Sequence, residues 1–368
     1  MNPNKTVSAD KKAAHEARHA ASQEPEVLFE RRDRLGVITL NRPKALNALT
    51  LGMIREIDPR LRAWAQDPQV QAVVIRGAGH KAFCAGGDVR AVCEAGMRGT
   101  DRLTYDFFFE EYRLNRLIHR FGKPYIALID GIAMGGGLGL SVHGRYRVVS
   151  EKTAVAMPEG AIGLFPDIGG SWFLDRCPGK VGVYLGLTGA RLKGADILYA
   201  GIATHFVPSS DMPALFDALL HTPPEAALQR FAQDPAPGHA TLASHRAAID
   251  RAFGEPSVEA IVAALAKEGE WGRHQAAELA KKSPTSLKAT LHLVQRHHGQ
   301  EIEDCLVGEF RLVQRFMAVH DFYEGIRAVL IDKDHAPRWK PATLAEVADA
   351  DIAAMFAPLE VGELSFDD

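Results

Sequence analysis

Residues 131–170 read GIAMGGGLGLSVHGRYRVVSEKTAVAMPEGAIGLFPDIGG. Gly135, Gly136 and Gly137 strip every Cβ from one turn, so a ligand atom can approach the bare backbone and its N–H groups. The apolar run Leu138–Val142 that follows suits a buried helix whose N-terminal end faces that ligand. Free N–H groups at the positive end of a helix dipole favour an oxygen that is gaining negative charge, which is the task of an oxyanion hole. The same turn would also serve close packing of helix on strand. Downstream, Glu159 and Asp167 each follow a proline, Pro158 and Pro166, so both carboxylates leave stiff backbone. Their neighbours are almost all apolar or glycine, an environment that desolvates a carboxylate and raises its pKa toward proton-transfer or nucleophilic work.

Working outward, Pro124–Asp130 (PYIALID) reads as the strand that enters this stretch. An earlier copy of the pattern is Gln71–Arg76 followed by GAGHKAFCAGGDVR, where Gly86 and Gly87 expose backbone N–H groups before Asp88 or its neighbour opens a helix. Strand, glycine turn and helix recurring at a spacing of about fifty residues predict α/β layering with ligand contacts at strand ends. Val27–Arg32 and Leu35–Asn41 predict a hairpin, and Thr50 caps a helix expected to break near Pro59. Leu103–Phe121 has the apolar spacing of an amphipathic helix, on which Glu110 and Glu111 read as a solvated face. From about residue 209 the texture becomes helical, with breaks at Pro223–Pro224, 234–238, Pro256 and Pro284. The expected organisation is a mobile tail over 1–24, an α/β core over 25–208 and a helical region over 209–368.

The whole chain excludes several classes. Its 368 residues are 46% hydrophobic and 24% charged with a formal charge of −3, which argues against nucleic-acid or anionic-membrane partners. Cysteines 84, 93, 177 and 305 lack CxxC spacing, so no zinc site or disulfide framework is expected, and no metal site is assigned. No apolar run is long enough to span a membrane. The first 24 residues are polar and lack the apolar segment of a secretory signal, while Asp10, Glu16 and Glu24 weigh against a transit peptide, so a cytoplasmic protein is expected. GLSVHG at 139–144 misses the serine nucleophile elbow by one residue, and His143 reads as a packed helix histidine. His297–His298 reads as positive charge at a helix C-terminus.

NRPKALNAL, AFCAGGD, KPYIALIDGIAMGGG and MPEGAIGLFPDIGG resemble, in order, the crotonase or enoyl-CoA hydratase/isomerase superfamily over roughly residues 26–210. FFFEEYRLN, LTGARLKGADILYAGIATHFV, SPTSLKATL and FYEGIRAVLIDKDHAPRWKP look more narrowly like its 3-hydroxyisobutyryl-CoA hydrolase branch, through about residue 341. The resemblance implies a spiral of ββα units followed by an α-helical C-terminal region. It implies an acyl-CoA substrate, no cofactor beyond the coenzyme A of that substrate, and a homo-oligomer. It assigns the oxyanion hole to the N–H groups of Gly87 and Gly136, flanked by Gly86 and Gly135. It assigns catalysis to Glu159 and Asp167, a substrate contact to Glu111, and the coenzyme A segment to Lys44, Ala45 and Leu46.

Two departures bear on the chemistry. Enoyl-CoA hydratases carry a second glutamate three residues after the oxyanion glycine, where this chain has Gly139, so hydration is disfavoured. Hydrolases of this type often have Thr after the catalytic glutamate, where this chain has Gly160. The expected reaction is hydrolysis of a short 3-hydroxyacyl-CoA, 3-hydroxyisobutyryl-CoA first, in valine breakdown. The alternatives are a hydratase or isomerase, and a non-catalytic acyl-CoA binder. Glu159 either attacks the thioester to give a mixed anhydride or acts as general base on water.

Overall fold

The computed structural model describes residues 24–99, 102–235 and 241–366. The expected tail therefore lies outside the described residues, except for Glu24. Ten strands build two sheets: β1 Val27–Arg32, β2 Leu35–Leu40, β3 Ala72–Gly77, β4 Ala82–Cys84, β5 Tyr125–Ile129, β6 Ile132–Met134, β7 Tyr146–Val149, β8 Ala154–Ala156, β9 Leu192–Lys193 and β10 His205–Phe206. The larger sheet has the order β1-β2-β3-β5-β7-β10 and the smaller β4-β6-β8-β9. Only the hairpin β1–β2 and the pair β8–β9 are antiparallel. Successive units thus give one strand to each sheet, β3 then β4, β5 then β6, β7 then β8, before the chain turns into a helical segment. That is the expected winding of ββα units.

Every residue of β2 and of β5 is buried, as continuous apolar runs on a parallel sheet covered on both faces require. Arg76, at the end of β3, instead stacks its guanidinium 4.5 Å from the Phe216 ring on the flank covered by helix Met212–His221.

Several local expectations change. The helix after Thr50 runs unbroken over Leu51–Gln66 with Pro59 inside it. Pro59 is exposed, so the carbonyl it leaves without an N–H partner can face water. Thr50 does cap this helix, accepting from Met53 N at 3.1 Å. The helix expected over Leu138–Val142 is a single turn, Gly136–Gly139, because four residues rich in glycine carry little intrinsic helicity. Pro224 and Pro284 start helices at a first-turn position rather than merely separating them.

After β10 the described chain is helical. The later helices do not sit apart from the sheets. Ile302–Phe316 packs on Leu103–His119, and His320–Ile326 packs on the 3₁₀ turn Glu159–Ile162. That second contact is backbone on backbone. A Cβ on Gly325 would lie 2.2 Å from the Ile162 carbonyl carbon, and one on Gly163, where φ is +68°, would lie 2.1 Å from the Asp321 carbonyl oxygen. Gly163→Ala should therefore cost about 3 kcal/mol or more, from overlap added to left-handed strain. Gly201→Ala, at φ +74° with nothing within 4 Å, should cost only about 1 kcal/mol. Urea denaturation of the two variants measures the difference.

Candidate active site

Three adjacent parallel strands, β4, β6 and β8, end at one place. Gly86–Gly87 follow β4, Gly135–Gly136 follow β6, and Glu159 follows β8. Strand ends are where an α/β sheet leaves room for a ligand. Here they open on a cavity of about 90 Å³ lined by both glycine turns, Glu111, Glu159 and Asp167, with Phe107 and Phe108 among its apolar walls.

The first turn is fixed from behind. Leu49 N donates to Gly86 O and Asp88 N donates to Leu49 O, both at 2.8 Å. Ala85 N donates to Leu46 O at 3.0 Å. Asn47 then ties this segment down, its Nδ2 donating to Ala78 O at 2.9 Å and to Ala82 O at 3.0 Å. The second turn is crowded on every side. A Cβ on Gly137 would lie 2.1 Å from Cys84 O, one on Gly135 2.8 Å from Glu159 Oε1, and one on Gly136 2.6 Å from Glu111 Oε1 and 3.1 Å from Gly87 N. Glycine is thus required by the approach of the acids, and the two turns face each other. Neither Gly87 N nor Gly136 N has a hydrogen-bond partner among the described residues.

The carboxyl groups are buried together, with exposures of 2% for Glu111, 6% for Glu159 and 5% for Asp167. Tyr112 donates its phenol proton to Asp167 Oδ2 at 2.8 Å. Glu111 Oε1, Glu159 Oε2 and both amide atoms of Asn115, one turn beyond Glu111, have no partner among the described residues. A buried unpaired polar atom costs about 1–3 kcal/mol, so a cluster of them makes this cavity the candidate site for a ligand. Burial raises all three acids. It pushes Asp167 up to about 6 against the lowering effect of the Tyr112 phenol. Burial, then the charges of Asp167 and Glu159, lift Glu111 well above the carboxylate range. Burial and then Asp167 do the same to Glu159, opposed by the Lys282 ammonium. Desolvation and mutual repulsion therefore oppose having all three carboxyl groups ionised at once.

A model of the enoyl-CoA hydratase/isomerase family matches residues 35–356. The chain belongs to that family. Among curated relatives, the mitochondrial 3-hydroxyisobutyryl-CoA hydrolase of Danio rerio is 50% identical over 349 residues, 92% of this chain and 91% of its own length. The Homo sapiens protein of the same description is 47% identical over 351 residues, 93% and 91% of the two chains. Among solved structures, a carnitinyl-CoA dehydratase from Mycobacterium thermoresistibile superposes with a TM-score of 0.89 at 42% identity, covering 94% of this chain and 99% of that one. An enoyl-CoA hydratase from Rhodobacter sphaeroides 2.4.1 gives 0.87 at 42%, covering 93% and 100%. The fold of the family is thus shared by proteins described as hydrolases, dehydratases and hydratases, and the acids of the site must discriminate.

The expectation of a cytoplasmic protein does not stand, because the curated relatives are described as mitochondrial. The missing apolar segment speaks against a secretory signal alone. A transit peptide is amphipathic and basic rather than apolar, and three acids in 24 residues do not decide the compartment.

The structure brings together Gly86, Gly87, Gly135, Gly136, Glu111, Glu159 and Asp167. Lys44 and Ala45 stand exposed outside the cavity, and Leu46 reaches the glycine turn through its carbonyl. Glu110, taken with Glu111 as a solvated pair, is indeed outside, bonded to Arg55 at 2.6 Å, whereas Glu111 is inside. His297 is buried and held neutral, its pKa lowered by burial to about 4, so it does not supply the positive charge expected at its helix end.

Sequence reading missed Tyr112, Asn115, Lys282 and Glu309. Glu309 is fully buried and accepts from Gly169 N at 2.7 Å, Ser171 N at 2.9 Å and Ser171 Oγ at 2.6 Å, fixing the turn just after Asp167. The signal was present: Cys305, Leu306, Glu309, Phe310 and Val313 share one helix face, on which the glutamate is out of place.

Because the fold raises the Glu111 pKa above its ordinary value of 4.5, ionisation is resisted in the folded chain only, and the penalty grows as pH climbs past that value. Glu111→Gln should stabilise the protein by on the order of 1 kcal/mol or more at about pH 8, and by much less at about pH 5. Urea denaturation at the two pH values checks the sign.

Proposed function

We infer that the protein hydrolyses a short 3-hydroxyacyl-CoA thioester, 3-hydroxyisobutyryl-CoA to 3-hydroxyisobutyrate and coenzyme A, as in valine catabolism. The observation that carries this reading over a hydratase is the packing at Gly139. A Cβ there would lie 2.8 Å from Asn115 Nδ2 and 3.1 Å from Ile168 Cβ, so the room that a second glutamate would need is filled. Relatives about half identical over most of the chain carry the hydrolase description.

In the proposed reaction the thioester oxygen sits between Gly87 N and Gly136 N. These donors meet the negative charge that develops as the carbonyl carbon becomes tetrahedral, an effect worth about 3–4 kcal/mol per donor in related chemistry. Glu159, on the stiff turn after Pro158, supplies either the attacking oxygen or the base that takes a proton from water. In both routes the new C–O bond forms, the tetrahedral oxyanion collapses, the C–S bond breaks, and the sulfur leaves with a proton; in the covalent route water then adds to the mixed anhydride, its C–O bond breaks, and the free acid and the Glu159 carboxylate are released. Asp167 with Tyr112, and Glu111, bind the 3-hydroxyl and exchange the proton that leaves with sulfur. Lys282 steadies the ionised form of Glu159: its stem carbons lie 3.9–4.0 Å from the position of a Cβ on Gly160, and its own pKa is lowered by burial. No cofactor is required by this sequence of steps, and the homo-oligomer carried over from the resemblance remains part of the proposal, to be read by sedimentation.

Offered 3-hydroxyisobutyryl-CoA and crotonyl-CoA in parallel, the protein should release thiol from the first and leave the enoyl absorbance of the second unchanged; hydration without thiol release would overturn the reading. Glu159→Gln should lower turnover by about a thousandfold or more while keeping coenzyme A binding, whereas a mere binder has no turnover to lose. Gly139→Glu should give an unstable protein with no hydratase activity, measured by thermal unfolding and by the crotonyl-CoA assay. After a single turnover in ¹⁸O water, label found in the Glu159 carboxylate would identify the anhydride route, since only attack of water at the Glu159 carbonyl of the anhydride puts it there.

A further inference from the structure

A second cavity, of about 460 Å³, shares no lining residue with the first. One wall is the helix Gly170–Asp175 that begins three residues after Asp167, contributing Trp172 and Phe173, with Arg176 just beyond its end. Four basic side chains line the cavity, Lys123, Arg145, Arg147 and Arg176, and no acidic one does. Arg145 lies 3.5 Å from Glu225. The other three meet only carbonyl oxygens among the described residues. Lys123 Nζ donates to Trp64 O and Asp67 O, both at 2.6 Å. Arg147 donates to Ile202 O, Gly144 O and Gly201 O at 2.8, 2.9 and 3.2 Å. Arg176 donates to Trp172 O at 2.8 Å and Gln300 O at 3.3 Å while stacking 4.0 Å from the Trp172 ring.

Each of these bonds closes a helix end or a turn, which explains a donor at that place. It does not explain three full charges, because a neutral amide would meet a carbonyl as well. Gathering like charges beside a cavity with no acid on its wall costs electrostatic energy that an anion recovers. Donors remain for it: a guanidinium has five N–H groups and an ammonium three, more than the carbonyls engage. Phe121, Tyr125, Trp172 and Phe173 supply aromatic walls beside them.

The cavity also touches the catalytic turn. His143, on its wall, has Nε2 2.7 Å from Ile168 O, and since a carbonyl only accepts, Nε2 carries the proton. A Cβ on Gly169 would lie 2.7 Å from His143 Cε1. Ile168 and Gly169 directly follow Asp167, and Gly170 N donates to Asp167 O at 2.7 Å. Whatever displaces His143 or Trp172 therefore moves the backbone that aims Asp167.

We propose that this cavity binds a small organic anion, a carboxylate or phosphate on a flat apolar body, and that its occupancy alters turnover through the Asp167 turn. The binding half stands independently of the hydrolase reading; the effect on turnover rests on it. Calorimetric titration of the full chain without substrate, using benzoate, phenyl phosphate and inorganic phosphate, tests the binding. One of the two aromatic anions should bind at a single site with Kd on the order of 1 mM or tighter, and which one does so tells carboxylate from phosphate. The double variant Lys123→Gln, Arg176→Gln keeps amide donors for the carbonyls and should weaken binding about tenfold or more, with its thermal midpoint checked. Should that variant unfold, the salt dependence decides: Kd should rise severalfold between about 50 and 500 mM salt. No saturable binding below about 10 mM, inorganic phosphate binding as tightly as phenyl phosphate, affinity retained in a folded double variant, or a Kd indifferent to salt would each overturn the site. In the turnover assay the bound anion should change kcat in the native chain and not in the double variant; a rise in KM alone would place the anion in the acyl cavity and overturn the coupling.

Discussion

Three carboxyl groups share one small apolar cavity, and their mutual repulsion and desolvation are the constraint on which the rest of the site depends. Glu111, Glu159 and Asp167 come from a helix, a turn after β8 and a proline-stiffened loop, so no single element can hold them. Left free, the acids would turn to water, where the charged forms are favoured. They stay because each segment is fixed at backbone level: the glycine turns leave no room for side chains, and Glu309 binds the chain just past Asp167 through three donors. The energetic strain of the acids would be relieved by a ligand hydroxyl that hydrogen-bonds to them.

The C-terminal helices belong to this arrangement as much as the sheets do. Ser283 N donates to Gly160 O at 3.3 Å and Ser283 Oγ to Asp321 Oδ2 at 2.6 Å, while Lys340 N donates to Asp321 Oδ1 at 2.8 Å. Asp321 thus joins a helix start and a late loop behind the Glu159 turn. Among the described residues the last strand is β10, and the contacts that shape the site join residues on either side of it.

Legibility in the sequence followed the range of the interaction concerned. The hairpin, the strands entering both glycine turns, and the placement of Glu159 and Asp167 after prolines are local patterns, and they could be read. Glu111 could not be read from periodicity, because Glu110 beside it has the same local credentials and only the fold decides which one faces Gly136; the family resemblance supplied that choice. Tyr112 and Glu309 lie 55 and 138 to 140 residues from the groups they bond, a distance over which spacing carries no information. Pro59 misled because a break signal is also tolerated where a freed carbonyl can face water. The C-terminal character of His297 misled because charge was assumed where burial removes it.

The backbone contact of Gly163 and Gly325 with their partners has a consequence for the making of the protein. The turn that bears Glu159 is braced by residues 321–325, far downstream of it in the sequence. During synthesis the sheets and both glycine turns leave the ribosome long before that brace exists. A nascent or truncated chain can hold most of the acyl-binding surface without a correctly aimed carboxylate. The aim of the Glu159 carboxylate thus waits on chain that is made well after the turn itself.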